Sequence, residues 1–327
     1  MEWVLCCQSI AFSLRPPFWI GQHLLRFEPS SELDSVWDPP AVMECYFGAK
    51  AALATMHGKE RALARPFRAL LGLELELPAH LDTDQLGSFD GRVPRTGSPE
   101  QACRRKAQLG MESLNLPLGL ASEGSFGPHP QLPFLAAGLE LMVFLDRERG
   151  LEIWERRIAR HTNFDHRCVA EPAELESWPQ RVGFPAHGLI VRPEQPWPDA
   201  QELLFKDLAD QQRLAEAIVA AAAGSSNGRA LVETDMRAHR NPTRMACLRT
   251  LATGLAKRIS TPCKACGVPG WGKVEVVYGL PCSWCGRPTS LVRSERFGCI
   301  SCSHSEERPR LDGWAEADPQ HCPLCNP

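Results

Sequence analysis

Apolar residues recur along the middle of the chain with two different periods. Short compact or alternating runs predict strands, whereas apolar positions three or four residues apart predict helices. The strand pattern occurs at 51–55, 73–78, the beginning of 119–130, 139–146, 151–158, 187–193 and 228–237. The helix pattern occurs at 58–72, 98–115, 200–223 and 241–259. Strands and helices therefore alternate over about 50–260, which predicts an α/β domain with a mixed sheet.

Two of these helices carry clear start signals. Ser98 is followed by Pro99 and, three positions after the serine, by Gln101, which is the pattern of a capping box. Asn241 stands before Pro242, and proline favours the first position of a helix. We therefore expect helices that begin at these residues.

The two ends of the chain differ from this domain in composition. Residues 1–42 contain turn-rich, acidic stretches with no usable period, and Met43 follows directly. We expect either a flexible extension over 1–42 or translation that begins at Met43. The α/β domain then occupies 43–260, and a cysteine-rich region occupies 261–327.

Length, composition and charge exclude several classes of protein. The chain has 327 residues, of which 43% are hydrophobic, and a formal net charge of −3. Such a charge gives no general attraction to nucleic acid or to an anionic membrane surface. No apolar run approaches the roughly eighteen residues of a membrane span, and the N-terminus lacks the basic start of a signal peptide. We therefore expect a cytoplasmic protein with no membrane partner.

Eight of the fourteen cysteines form four Cys-x-x-Cys pairs near the C-terminus. The pairs are Cys263 and Cys266, Cys282 and Cys285, Cys299 and Cys302, and Cys322 and Cys325. Paired thiolates in a cytosolic chain indicate metal, and eight of them suffice for two closed four-cysteine sites. We therefore predict two structural Zn2+ sites in a double zinc-ribbon domain, in preference to redox dithiols or an iron–sulfur cluster.

The spacing leaves the pairing of the four knuckles open. Sequential sites would join the first pair to the second and the third to the fourth. Nested sites would join the second to the third and the first to the fourth, and we favour them slightly because residues 289–298 can form the intervening hairpin. A cross-brace is the remaining alternative.

The charge of the zinc region bears on its partner. Residues 263–327 hold seven Lys/Arg and seven Asp/Glu. A zinc ribbon that binds nucleic acid is usually basic. A structural cap or a module that docks a protein partner is therefore favoured over nucleic-acid binding.

The stretch ATMHGKE, residues 54–60, stands between a predicted strand and a predicted helix. Small residues and a lysine at a helix N-terminus can cradle a phosphate, with Thr55, His57 and Lys59 as the contacting residues. The stretch is not a Walker A loop, which needs a longer glycine-rich turn. The alternative is an ordinary strand–helix turn with a solvated lysine.

A second polar stretch, GLASEGSFGPHP at 119–130, places Glu123 at the carboxyl end of a predicted strand. Ligands bind at such strand ends in open α/β sheets, and a carboxylate there suits a divalent metal or general-base work. His129, between two prolines, is a candidate for metal binding or proton transfer, with a surface turn as the alternative. The aspartate-rich stretch 82–91 is expected to be a solvated loop or a substrate lid.

The densest polar stretch is VETDMRAHRNPTRM at 232–245. Glu233 and Asp235 lie two apart on a predicted strand, so we expect both side chains to face one side. The candidate residues that follow around the helix start are Arg237, His239 and Arg244. Acids beside cations predict a metal–phosphate or other anion site, or else an internal salt-bridge network.

Taken together, LATMHGKE, TDQLGSF, ASEGSFGPHP, ETDMRAHRNPTRM and the four-knuckle tail resemble an uncharacterised bacterial family defined only as a domain of unknown function. A looser resemblance, at the level of the fold, is to the inosine-triphosphatase-like nucleotide pyrophosphatases, through ATMHGKE, ACRRKA and GLASEGS. The second resemblance implies that Thr55 and Lys59 hold phosphate, that Lys106 supports it and that Glu123 binds Mg2+. The chain departs from those enzymes in lacking the usual asparagine of the first loop and in carrying the zinc tail.

We expect the cleft to bind a phosphorylated, nucleotide-like small molecule and to hydrolyse it with Mg2+ or Mn2+. Lys59 and the helix starts would bind the phosphate, Glu123 and Asp235 would hold the metal, and His129 or His239 would carry protons. The alternative is a non-enzymatic module whose zinc ribbons dock a protein or RNA partner while the α/β domain senses a small anion. A zinc-dependent hydrolase is disfavoured because four-cysteine sites leave no open coordination position.

Overall fold

The computed structural model of this chain describes residues 45–86, 97–128, 135–159 and 161–327. The strands in these ranges are β1 (Lys50–Leu53), β2 (Glu74–Glu76), β3 (Leu118–Pro128), β4 (Ala136–Asp146), β5 (Leu151–Ala159), β6 (His166–Val169), β7 (Leu189–Pro193), β8 (Phe205–Leu208), β9 (Ala230–Thr234), β10 (Gly272–Tyr278), β11 (Val292–Gly298) and β12 (Ser305–Pro309). The α-helices are α1 (Glu60–Leu71), α2 (Pro99–Leu114), α3 (Trp178–Arg181), α4 (Gln211–Ala223) and α5 (Pro242–Ile259). Short 3-10 helices lie at Thr83–Leu86, Pro172–Leu175, Pro198–Ala200, Ala238–Arg240 and Pro319–His321. Within the described ranges, no helix has the length and apolar character needed to cross a bilayer.

A five-stranded mixed sheet, in the order β2-β1-β3-β4-β5, confirms the predicted α/β class. β1 pairs in parallel with β2 and β3, while β4 and β5 extend the sheet by antiparallel pairing. Because side chains alternate along a strand, Leu120 and Ala121 of β3 face opposite sides. Leu120 packs with Phe67 of α1 and Leu248 of α5, and Ala121 packs with Met111 of α2. The sheet is therefore covered by α1 and α5 on one face and by α2 on the other.

A second sheet, in the order β6-β9-β7-β8, is entirely antiparallel, and the sequence pattern did not indicate it as a separate layer. α4 packs on it, with Leu214 and Ile218 buried against Leu189 and Val232. The sheet matters for function because β9 ends directly before Asp235.

The helix predicted over 200–223 is correct only in its second half. Phe205–Leu208 forms β8, which pairs with β7, and α4 begins only at Gln211. The helix starts there because the Asp210 side chain accepts a hydrogen bond of 2.9 Å from the backbone N–H of Arg213. A short strand with charged residues has no pattern that separates it from a helix, so pairing with β7 decided its state.

Both predicted helix starts are confirmed. The Ser98 hydroxyl accepts from the backbone N–H of Gln101 at 3.2 Å, and the Gln101 side chain accepts from the Ser98 N–H at 2.9 Å. Asn241 caps α5 by accepting from the backbone N–H of Arg244 at 2.9 Å. A side-chain cap of this kind is worth about 1 kcal/mol.

The cysteine-rich region adds a three-stranded antiparallel sheet in the order β10-β11-β12. It attaches to the first sheet where Ile300 packs against the core that contains Ile153. Arg258 of α5 joins the two parts, because its guanidinium donates to the carbonyls of Gly270 (3.1 Å) and Trp154 (2.8 Å). The C-terminal region is thus fastened to β5 and to the end of α5.

Candidate functional site

The candidate site begins where β1 ends and β3 continues beyond it. β1 ends at Leu53, and the N–H of Ala54 still donates to the carbonyl of Leu120 at 3.1 Å. Beyond this point none of the described strands pairs with this edge of β3, and the side chain of Lys59 lies beside it. Its ammonium donates to the backbone carbonyl of Ser122 (3.1 Å) and to the Ser122 hydroxyl (3.0 Å). The predicted phosphate loop is therefore in direct contact with β3. Glu123, the neighbour of Ser122, lies in the middle of this strand and not at its carboxyl end as predicted, because pairing with β4 continues to Pro128.

Lys106 and Glu123 form a buried ion pair on the α2 face of β3. Their Nζ and Oε2 atoms are 2.7 Å apart, and the two side chains are only 9% and 3% exposed. Glu123 neighbours Ser122 in sequence, so their side chains lie on opposite faces of the sheet. The structure thus brings three predicted site residues together, with Lys59 on one face of β3 and the Lys106–Glu123 pair on the other.

A second buried ion pair joins Glu140 of β4 to Arg244 of α5. Arg244 Nε lies 2.6 Å from Glu140 Oε1, and both side chains are 1% exposed. Gly124 of β3 is paired in register with Glu140 and leaves room for the guanidinium. A Cβ atom at position 124 would lie 2.5 Å from Arg244 Nη2 and 2.8 Å from Glu140 Oε2. The glycine of the SEGS motif is therefore required by a close approach of side chains.

Together these five side chains form the buried ion cluster, which comprises Lys59, Lys106, Glu123, Glu140 and Arg244. Among these five described residues three cations face two carboxylates, so the cluster carries one excess positive charge when all five are ionised. Burial, followed by the nearby charge of Arg244, lowers the pKa of Lys59 to about 8, although Glu123 and Glu140 act in the opposite direction. A bound anion would supply the missing negative charge.

The loop from 54 to 59 borders this cluster. Gly58 adopts a left-handed conformation with φ of 66°, which a glycine accepts without strain. The Thr55 hydroxyl is buried, and no described residue offers it a hydrogen-bond partner. The N-terminus of α1 has no side-chain cap, and the N–H groups of Arg61 and Ala62 bond the backbone carbonyls of Gly58 (3.3 Å) and Lys59 (2.9 Å). A left-handed glycine and a buried hydroxyl before the positive end of a helix are features found at phosphate sites.

Residues after β9 approach the same loop from the second sheet. The imidazole of His239 stacks on that of His57, with ring centroids 5.4 Å apart. Burial and the neighbouring charge of Arg237 lower the pKa of His239, which keeps the ring neutral and able to accept a proton. The two predicted histidines thus meet where the two sheets come together.

Asp207 belongs to this site but was not among the residues predicted from the sequence. It bonds Arg237 at 3.0 Å and Arg240 at 2.7 Å, and His239 Nε2 lies 3.4 Å away. Partial burial opposes ionisation, but hydrogen bonding from Arg240 and the charge of Arg237 lower the pKa of Asp207 to about 2. The sequence pattern predicted a helix over 200–223, which gave Asp207 no role. The residue reaches this site only because 205–208 form the strand β8.

Asp235 and Glu233 do not act as a pair. Asp235 is fully buried and lies beyond the end of β9, where Arg237 binds its Oδ2 at 2.6 Å. Glu233 instead forms an ion pair of 2.8 Å with Arg192 on β7 and is one-third exposed. The expectation that both carboxylates face one ligand is therefore wrong, because the chain leaves the strand between them.

The described residues do not fit Mg2+ or Mn2+ held by Glu123 and Asp235. Each carboxylate already binds a cationic side chain, Lys106 or Arg237. Among the described residues, no group of three histidine, aspartate or glutamate ligands converges on one point. His129, the further predicted ligand, lies outside the described residues. The donors at the cleft suit an anion better than a divalent cation.

The eight knuckle cysteines converge as two groups of four. Cys263 and Cys266 meet Cys299 and Cys302, while Cys282 and Cys285 meet Cys322 and Cys325. The pairs therefore interleave along the chain in a cross-brace, and the preference for nested sites is wrong. The hairpin that we expected between the second and third knuckles is instead the ladder of β10 and β11, which separates the two sites.

The geometry of both groups fits zinc. Sulfur atoms about 2.3 Å from a tetrahedral Zn2+ lie about 3.8 Å apart. In the first site Cys263 and Cys302 are 3.8 Å apart and Cys266 and Cys299 are 3.6 Å apart. The corresponding distances in the second site are 3.9 Å and 3.6 Å. Four thiolates at these separations could hold Zn2+ in a closed site, and sites of this kind stabilise the fold when they bind metal.

Backbone amides of the knuckles prepare the thiolates for metal. The N–H groups of Ser301 and Cys302 point at the Cys299 sulfur, at 3.3 Å and 3.4 Å. In the second site the amides of Cys325 and Leu324 lower the pKa of Cys322 to about 7. Hydrogen bonds of this kind favour the anionic form that binds zinc.

Comparison with known proteins shows the family of the chain. The sequence model described as Domain of unknown function (DUF6671) matches residues 106–327, so the chain belongs to this family. No curated protein and no solved structure matches the chain. The family resemblance expected from the motifs is thus confirmed, whereas no matched protein supports the looser one to the inosine-triphosphatase-like enzymes.

Proposed function

We propose that this member of the DUF6671 family binds the phosphate group of a small molecule at the carboxyl end of β1. The ligand would lie against the loop 54–59 and against the part of β3 that extends beyond the end of β1. Its non-phosphate part would extend toward His57 and His239, where the second sheet meets the loop. A nucleotide-like molecule is one chemical class with these features.

The observation that carries the proposal is the excess positive charge of the buried ion cluster. Charges in a protein interior are costly unless they are matched, and here three cations share two carboxylates. Burial is the main cause of the lowered pKa of Lys59, and the nearby charge of Arg244 adds to it. A phosphate oxygen near Lys59 would stabilise the ammonium form.

Two neighbouring features support the same ligand. The buried Thr55 hydroxyl finds no partner among the residues described, and a phosphate oxygen would accept its hydrogen bond. The N-terminus of α1 adds the positive end of a helix dipole. All three features lie within the stretch from Thr55 to the first turn of α1.

Hydrolysis of a phosphoanhydride or phosphoester is a second candidate function. An amine with a pKa of about 8 can exchange a proton near neutral pH, and Lys59 is such a group. His239, held neutral beside Arg237, is the second proton-transfer candidate. Mg2+ or Mn2+ enters this proposal only as an addition to be tested in the assay.

The zinc ribbons are proposed to dock a protein partner. The two knuckles of the second site each expose a large apolar residue between their cysteines, Trp284 at 78% and Leu324 at 60%. In the first site the apolar residue between Cys299 and Cys302 is Ile300, which packs against the core of the α/β part. The second site is therefore the one that presents an apolar surface to other molecules.

Ligand binding is tested with the full zinc-loaded chain. Inorganic phosphate, pyrophosphate, sugar phosphates and nucleoside mono-, di- and triphosphates are each titrated, with and without Mg2+, by calorimetry and by thermal shift. We expect binding that Lys59→Met weakens at least about tenfold, since a charge-assisted hydrogen bond is lost. Lys50→Met is the matched control, because Lys50 is an exposed lysine at the opposite end of β1. Release of inorganic phosphate in the same samples tests hydrolysis.

The outcomes separate the two candidate functions. Binding without phosphate release supports an anion-binding module. Release that Lys59→Met and His239→Ala both abolish supports the hydrolase. If none of the phosphorylated compounds binds, or if Lys59→Met and Lys50→Met behave alike, the assignment of this cleft is wrong.

A further inference from the structure

We infer that the groove between β5 and α5 binds an acidic polypeptide segment in extended conformation. The groove lies away from the buried ion cluster and uses none of its residues. It encloses about 510 Å³ and is lined by Arg156 and Arg157 of β5 and by Arg249, Gly254 and Lys257 of α5. The inference is therefore independent of the proposed phosphate site.

The first argument is that β5 is an edge strand with backbone groups that face outward. Among the strands that the structure describes, β5 pairs only with β4. The Trp154 carbonyl accepts a hydrogen bond of 2.8 Å from Arg258, so the backbone groups of Trp154 point away from β4. Backbone groups alternate in direction along an antiparallel strand, so those of Arg156 and Ile158 also point away from β4. Their N–H and C=O groups can pair with a strand that is added from outside.

The second argument is the charge of the groove. Arg157, Arg249 and Lys257 are exposed, whereas the side chain of Arg156 lies 3.7 Å from Glu100 of α2. Arg249 and Lys257 form no ion pair with any described residue. The acid beside them, Glu155, lies 3.8 Å from Arg258 and is thus engaged on its other side. A peptide strand that pairs with β5 and carries carboxylates on its α5 side would neutralise the cationic side chains of the groove.

The third argument concerns the alternative occupants. Single-stranded nucleic acid is bound by cationic grooves that also provide aromatic stacking, and none of the described residues lining this groove is aromatic. A second copy of the chain would bring this cationic groove against an identical one, and like charges repel. An acidic peptide satisfies both the backbone groups and the charges.

The test uses the full zinc-loaded chain and a short fluorescent peptide of alternating glutamate and valine. Fluorescence anisotropy measures its binding at low salt. We expect the double variant Arg249→Glu, Lys257→Glu to lose at least about tenfold in affinity, because two attractions become repulsions. Arg65→Glu, Arg68→Glu on α1 is the matched control with the same change in net charge, and it should bind normally. Unchanged circular dichroism and zinc content establish that each variant is folded.

Two further peptides test the mode of binding. The peptide with glutamine in place of glutamate, and the peptide N-methylated on alternate amides, should each lose at least about tenfold in affinity. Equal binding of the N-methylated peptide would overturn the added strand. A single-stranded oligonucleotide that competes better than the acidic peptide, or an equal loss in the control variant, would also overturn the inference.

Discussion

Replacement of Thr55 by valine should change stability and ligand binding in opposite directions. The Thr55 hydroxyl is buried and has no hydrogen-bond partner among the described residues. Valine has nearly the same shape and removes only the polar atom. The free protein therefore loses a desolvation cost, whereas the ligand complex loses a hydrogen bond.

The magnitudes follow from the cost of an unsatisfied polar group. A buried hydroxyl without a partner costs about 1–3 kcal/mol. We expect Thr55→Val to raise the free energy of unfolding by about 1 kcal/mol, which corresponds to about 2 °C in Tm for a chain of this size. A hydrogen bond to a charged phosphate is worth about 1.5–3 kcal/mol, so ligand affinity should fall at least tenfold or so.

Urea denaturation of the ligand-free protein measures the first effect, and calorimetric titration with the phosphate compounds measures the second. Thr234→Val is the matched control, because the Thr234 hydroxyl is also buried but hydrogen-bonds the backbone of Asp165 at 3.2 Å. The control should lose about 1 kcal/mol of stability. If Thr55→Val loses as much stability as Thr234→Val, the hydroxyl has a partner in the free protein and the reasoning is refuted.

Three further predictions concern the buried ion cluster and the zinc sites. Gly124→Ala should lower the free energy of unfolding by about 2–4 kcal/mol, because its Cβ would push Arg244 and Glu140 apart; wild-type stability in urea would contradict the described packing. Because the folded-state pKa of Lys59 is lowered to about 8, its burial penalty is full below pH 8 and is relieved as pH rises to its unfolded value of about 10.5. The stability of wild type relative to Lys59→Met should therefore increase across that window, at up to roughly 1.4 kcal/mol per pH unit, and a flat difference would argue against a depressed pKa. In a Cys282→Ser variant, zinc should fall from two ions to one, and alkylation with mass spectrometry should find the partners 322/325 reactive but 299/302 protected; the reverse pattern would indicate nested sites.

Local chemistry explains which parts of the site could be anticipated. Lys59 and His239 each stand in a short stretch whose polarity is unusual for a helix start or the residues after a strand. Glu123 was identified by the polarity of its stretch, but it lies in the middle of β3 and not at a strand end. Where a strand ends or a helix begins is decided by residues close in sequence. These polar stretches could therefore be placed near the edge of the sheet at which ligands bind in α/β proteins. The capping residues Ser98 and Asn241 could be identified for the same reason, since a cap bonds an amide only three positions away.

The buried ion pairs could not be anticipated in this way. Glu140 and Arg244 are 104 positions apart, and Glu140 lies within an otherwise apolar strand. Asp207 reaches its arginines only because β8 pairs with β7, and a residue of a charged four-residue strand carries no periodic signal. The partner of Asp235 could not be predicted either, because it depends on the residue at which β9 ends.

The amino-acid sequence by itself determined the local elements: the caps, the polar loop before α1, and four Cys-x-x-Cys knuckles suited to metal. Each depends on contacts between residues a few positions apart, so its chemistry is complete within one stretch. The tertiary structure alone decided which knuckles converge into one group of four cysteines and which acid meets which cation. These outcomes depend on strand order and register, because only the packed sheets bring such distant charges into one buried volume.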